Sequence, residues 1–132
     1  MQKLRNIIVT GSNKGIGYGI VENLAQKQGW NIIMACRNVE LANKSRDELL
    51  GKFKDANIHV EQLDVTDKKS IQNFVQLVAD KYKTVDVLIN NAGVARKGDE
   101  FNEEVAQWTF ATVHLLLFVE FLWNYQFYRS HL

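Results

Sequence analysis

Continuous apolar runs and amphipathic stretches alternate along most of this chain. Asn6 to Thr10 is a short apolar run ended by glycine and predicts a buried strand. Ile16 to Gln28 places Ile16, Ile20, Val21 and Leu24 at core-facing helical spacing, with Gly29 as its stop. Asn31 to Cys36 predicts a second buried strand. Val39 to Phe53 follows as a charged amphipathic helix with Leu41, Leu49 and Phe53 among its apolar positions. Ile58 to Leu63 predicts a third strand, and Ser70 to Tyr82 a helix with Ile71, Phe74, Val75 and Val78 on one stripe. Val85 to Asn90 predicts a fourth strand. Strands alternating with helices of this length imply right-handed βαβ units and a parallel sheet.

The pattern changes after Asn91-Ala92-Gly93. Arg96 to Asn102 is polar and loop-like, a helix is predicted from Glu103, and Val113 to Trp123 is apolar nearly all round. That last run falls short of a membrane span, which needs about 20 apolar residues. His114, Glu120, Asn124 and Gln126 also interrupt it.

Composition narrows the class. At 132 residues, 46% hydrophobic and 23% charged, the chain suits one globular domain rather than long disorder. A net charge of +1 gives no electrostatic footprint for nucleic acid or an acidic membrane. The single cysteine, Cys36, excludes an intrachain disulfide framework and points to a reducing, cytoplasmic setting. No signal peptide precedes the first strand. No metal-ligating cluster stands out.

The chemistry begins at Thr10-Gly11-Ser12-Asn13-Lys14-Gly15-Ile16-Gly17, between the first strand and the first helix. A strand feeding a glycine-rich turn that becomes a helix N-terminus cradles phosphate, because unpaired N–H groups and the positive helix end aim at one spot. A tight βα turn without a ligand is the plainer alternative. Arg37 ends the second strand, where a dinucleotide fold reads the adenosine ribose. A carboxylate there would favour NAD. A guanidinium, with Lys14 able to approach the same point, suits a 2′-phosphate and so NADP(H). The plainer alternative is an exposed loop arginine. Asp64-Val65 follows the third strand, where the carboxylate can accept from an adenine amino group beside the valine. A helix N-cap is its other role, although Thr66 or Asp67 is better placed for that. Asn90-Asn91-Ala92-Gly93 ends the fourth strand. Small residues there let backbone approach a cofactor ribose, and the asparagine side chains can tie strand ends together. Alone, this tetrapeptide is an ordinary turn.

In this order and spacing the four features resemble the short-chain dehydrogenase/reductase family over about residues 5–112. Thr10-Gly11-x-x-x-Gly15-x-Gly17 is similar to its cofactor glycine motif, Asp64 to its adenine-contacting aspartate, and Asn90-Asn91-Ala92-Gly93 to its Asn-Asn-Ala-Gly signature. Within the family, Val9 to Gly17 together with Ala35-Cys36-Arg37 is most similar to the NADPH-dependent carbonyl reductases. The resemblance implies a Rossmann-like, doubly wound parallel sheet of which this chain holds about four strands, in order 3-2-1-4. It implies NADPH held by Gly11, Ser12, Asn13, Lys14, Gly15, Ile16, Gly17, Arg37, Asp64, Val65, Asn90, Ala92 and Gly93, and hydride transfer to a small carbonyl substrate.

The resemblance also implies a catalytic tyrosine with a lysine four residues on, a serine, and a helix asparagine. Tyr18, Tyr82, Tyr125 and Tyr128 are followed at that spacing by Glu22, Asp86, Arg129 and Leu132, so none qualifies. Arginine at 129 cannot shuttle a proton. The family's helix asparagine falls at Val113. No catalytic residue is therefore assigned. The expectation is a cofactor-binding part, residues 1–112, with a divergent apolar segment, residues 113–132, as a truncated product would have. A full-length form alone would use a carbonyl substrate. The strand Val87-Leu88-Ile89 would then be an apolar edge open to self-association.

Overall fold

The computed structural model describes residues 3–92. Gly93, Val113, Tyr125, Tyr128 and the apolar segment 113–132 lie outside the described residues. Four strands and three helices alternate: β1 (Arg5–Thr10), α1 (Gly15–Ala25), β2 (Trp30–Cys36), α2 (Val39–Lys52), β3 (Asn57–Gln62), α3 (Lys68–Lys81) and β4 (Val87–Ile89). All pairings are parallel and the sheet order is β3-β2-β1-β4, as the resemblance implies.

Period-two alternation within the strands divides the core between two faces. Ile7, Val9, Ile32, Met34, Cys36 and Ile58 point to one face and pack on Val21 and Ala25 of α1 and Ala42 and Leu49 of α2. Ile8, Ile33 and Ala35 point to the other and pack on Ile71, Phe74, Val75 and Val78 of α3, with Leu63 and Val65. Strands covered on both faces must be apolar at consecutive positions, which is why they read as continuous runs. Each fully buried aliphatic side chain contributes about 1.5–3 kcal/mol.

Two helix faces differ from the sequence expectation. Ile16, expected in the core, is 79% exposed. The buried positions of α1 are Gly17, Val21 and Ala25, four apart. The rotation follows from Gly17, which must sit flush against the end of the sheet. In α2 the buried positions are Ala42 and Leu49, and Leu41 is exposed one helical step away. The stripe predicted for α3 is buried throughout. Helix α1 also ends at Ala25, before Gly29, whose φ of +94° belongs to the turn into β2. β4 is shorter than its apolar run. Asp86 instead clamps the start of β1, its side chain accepting from Asn6 N at 2.7 Å and its N–H donating to Asn6 O at 2.9 Å.

Candidate functional site

The strand order turns at β1. β2 lies on one side, joined through α1 on one face, and β4 lies on the other, reached through α3 on the opposite face. The carboxyl ends of strands at such a switch point open a crevice. The residues singled out from the sequence, apart from Gly93 outside the described residues, follow the carboxyl ends of these strands.

The glycine turn has three distinct backbone demands. Gly11 and Gly15 both have φ near +60°, where a side chain is strained. A Cβ on Gly11 would also stand 2.8 Å from Ala92 Cα. Gly17 has ordinary helical geometry, but a Cβ there would meet Asn91 Nδ2 at 2.5 Å, Gly11 O at 2.6 Å and Ser12 Cα at 2.8 Å. A Cβ on Gly15 would meet nothing within 4 Å, so the turn is open on that side.

Ser12 is fully buried beneath the turn. Its Oγ donates to Val9 O at 2.9 Å and lies 3.6 Å from Cys36 Sγ, itself 1% exposed. Above it, α1 begins with Lys14 in extended conformation as N-cap, with no side-chain cap and no acidic residue in the first turn. By contrast, α2 and α3 are both capped, Asn38 accepting from Leu41 N and Asp67 from Lys69 N. The helix whose start faces the crevice lacks the cap that the other two possess. Its leading N–H groups and positive end therefore suit an anion.

The remaining residues ring this point. Lys14, Gly15 and Ile16 are exposed, as is Arg37, which lies between β2 and α2. Asp64 Oδ1 accepts from Thr66 N at 2.9 Å and from Thr66 Oγ1 at 2.6 Å, and Asp64 N donates to Ser70 Oγ. One carboxylate oxygen thus orients the loop, and Oδ2 makes no hydrogen bond among the described residues. Val65 is buried beside it. The helix-cap role belongs to Asp67, not Asp64.

The end of β4 is tied to the glycine turn by two residues that the site assignment above did not single out. Thr10 Oγ1 accepts from Asn91 N at 3.0 Å and from Ala92 N at 2.9 Å. Asn91 Nδ2 donates to Thr10 O at 3.1 Å and to Gly11 O at 3.2 Å. Asn90 is exposed and makes no hydrogen bond among the described residues. The tying role is therefore Asn91's, and Asn90 is left exposed at the end of β4. The paired asparagines were a visible signal, but which one turns inward depends on register.

The family matches follow this geometry. The profile of the short chain dehydrogenase family matches residues 5–119. The chain belongs to that family. Human retinol dehydrogenase 13 is 35% identical to this short-chain dehydrogenase chain over 111 residues, covering 84% of it and 33% of the relative. Menthone neomenthol reductase from Mentha piperita superposes with a TM-score of 0.62 at 35% identity, covering 70% of this chain and 32% of that one. NADPH-bound carbonyl reductase from chicken fatty liver superposes with a TM-score of 0.70 at 29% identity, over 85% of this chain and 44% of that one. The chain spans about a third of the length of the curated relatives it matches.

Two titrating groups with displaced pKa values, His59 and Tyr82, lie elsewhere, on the α3 face. Burial first, then its hydrogen bond to Glu61, pushes the Tyr82 hydroxyl well above its ordinary range. Burial, then Lys81, lowers the His59 imidazole. Glu61 is nearly buried, and its Oε1 accepts from both Lys81 Nζ and Tyr82 Oη. These contacts join β3 to the end of α3.

Proposed function

We propose that residues 1–112 form the NADPH-binding half of an oxidoreductase of the carbonyl-reductase type. In this reading the N–H groups at the start of α1 hold the pyrophosphate. Lys14 and Arg37 hold the adenosine 2′-phosphate, Asp64 and Val65 face the adenine, and Asn90, Ala92 and Gly93 line the path to the nicotinamide ribose. The observation that carries it is the uncapped start of α1 with two exposed cations, Lys14 and Arg37, at the rim of the same crevice. Charge-assisted bonds from a planar guanidinium are the strongest available to a phosphate. The NADPH bound to the chicken carbonyl reductase supports the choice of cofactor. When bound, the nucleotide would supply the hydride that reduces a carbonyl.

Holding the nucleotide and using it separate in this reading. None of the four tyrosines has a lysine four residues on, so the 132-residue chain by itself binds NADP(H) without turnover. A cytoplasmic location, in keeping with the lone thiol of Cys36, belongs to the same proposal, and fractionation of cells expressing a tagged chain checks it.

Calorimetric titration with NADPH and NADH tests the cofactor. NADPH binds more tightly to the wild-type chain, and Arg37→Asp reverses the order by placing a carboxylate where ribose hydroxyls can donate to it. Unchanged selectivity in Arg37→Asp removes Arg37 from the site. Measurable nicotinamide oxidation with a reactive dione, by pure chain, refutes the inactive reading.

A further inference from the structure

Two loops carry the cations assigned to the 2′-phosphate, and one contact ties the first to the helix that follows the second. Lys14 belongs to the glycine turn. Arg37 stands two residues before α2. Across the gap, Ser45 in the second turn of α2 donates its Oγ proton to the carbonyl of Asn13 at 2.8 Å. Among the described residues this is the one hydrogen bond between the Asn13–Lys14 arm and α2. It fixes the peptide plane that leads into Lys14, whose backbone is extended (φ −157°, ψ 169°) immediately before the helix. The rest of the α1–α2 seam is held lower down. There Tyr18 Oη donates to Glu48 Oε1 at 3.2 Å, and Lys52 Nζ lies 3.2 Å from Glu22 Oε1 and 3.7 Å from Glu48 Oε1.

We propose that Ser45 is a positioning residue for cofactor selectivity: its hydrogen bond to the Asn13 carbonyl sets the spacing of Lys14 and Arg37 around a nucleotide 2′-phosphate. The proposal rests on the NADPH reading above. Without this bond the Asn13 carbonyl turns to water and the Lys14 arm moves independently of α2. The pyrophosphate is held by backbone N–H groups at the start of α1, which the Ser45 bond does not reach. The effect therefore falls on the nucleotide that carries the extra phosphate. Energy that depends on two pre-placed cations is lost when either must be ordered on binding.

The test compares four 132-residue chains: wild type, Ser45→Ala, Ser45→Thr and Glu48→Gln. Each is titrated with NADPH and with NADH, and each is melted without ligand. Alanine is a good helix former, so Ser45→Ala keeps α2 intact. Ser45→Ala is expected to weaken NADPH binding roughly three- to tenfold, the effect of one hydrogen bond, while leaving NADH within about twofold. Ser45→Thr, which keeps the hydroxyl, is expected to restore NADPH affinity. Glu48→Gln, altered only in the lower seam, is expected to keep the wild-type ratio of the two affinities.

An equal loss for both nucleotides in Ser45→Ala, or the same loss of selectivity in Glu48→Gln, shows a structural contact and overturns the proposal. Unchanged binding in Ser45→Ala overturns it as well. A wild-type chain with no preference for NADPH is a different failure. It removes the cofactor reading and the Ser45 proposal together.

Discussion

Gly15 and Gly17 sit two residues apart and are required for opposite reasons. At Gly15 the backbone is strained for any side chain, but the space is open. At Gly17 the backbone is ordinary, but the space is filled by Asn91, Gly11 and Ser12. Gly15→Ala is therefore expected to cost about 1–2 kcal/mol of stability, the price of a left-handed residue, while leaving the fold of the turn. Gly17→Ala forces its neighbours apart, at about 1–3 kcal/mol, and also displaces Asn91, so NADPH binding falls much further than in Gly15→Ala. Urea unfolding and calorimetric titration of the two variants separate the effects. The spacing of these glycines was readable from the sequence. The contact between Gly17 and Asn91 was not, because it joins residues at opposite ends of the described chain.

At the scale of elements, β4 depends on β1 for more than its three paired residues. The Thr10 hydroxyl accepts two N–H groups from the segment just after β4; Asn91 N also reaches Ile89 O at 3.1 Å, but Ala92 N has no other acceptor among the described residues. Thr10→Val keeps the shape and removes the acceptor. It is expected to cost about 1–3 kcal/mol, since the part-buried Ala92 N–H is left unmet. Thr10→Ser should recover most of that, as thermal melts will show. Element types were legible throughout, because strands buried on both faces leave continuous apolar runs. Helix rotation was less so. Ile16 and Leu41 fit an apolar stripe by spacing, yet the stripes that pack run through Gly17–Val21–Ala25 and Ala42–Leu49. Small residues set how closely a helix approaches a sheet, and hydrophobicity alone does not reveal them.

For the whole molecule, the β3–α3 contact links stability to pH at both ends of the scale. The folded state resists charging His59, whose ordinary pKa is 6.5, so the unfolded state binds more protons there. Stability from this group is present above 6.5 and falls as pH drops below it. Tyr82 works in the other direction. Its folded pKa is raised above 10.0, so its contribution is intact below that value and declines as the unfolded hydroxyl ionises above it. His59→Gln should flatten the acid side of a stability-versus-pH curve, and Tyr82→Phe the alkaline side. A Tyr82→Phe curve that still bends above pH 10.0 would assign that limb to other groups. The strand order and family were legible because four motifs recur in one spacing. The Glu61–Lys81–Tyr82 cluster was not, since a carboxylate inside an edge strand carries no periodic signal. Nor was Ser45, a polar residue on a polar helix face.

The position of Cys36 gives this protein a built-in clock. Its thiol is the sole one in the chain and lies buried against Ser12, in the turn proposed to hold the nucleotide. A thiol reagent needs an opening to reach it, and if that opening is the lifting of the turn from the sheet, the labelling rate counts openings of the loop in molecules that are otherwise folded. If NADPH clasps the turn, labelling slows in proportion to saturation. A rate indifferent to saturating NADPH would mean that the turn opens with its ligand still aboard. One residue with no chemistry of its own thereby times the breathing of the loop above it.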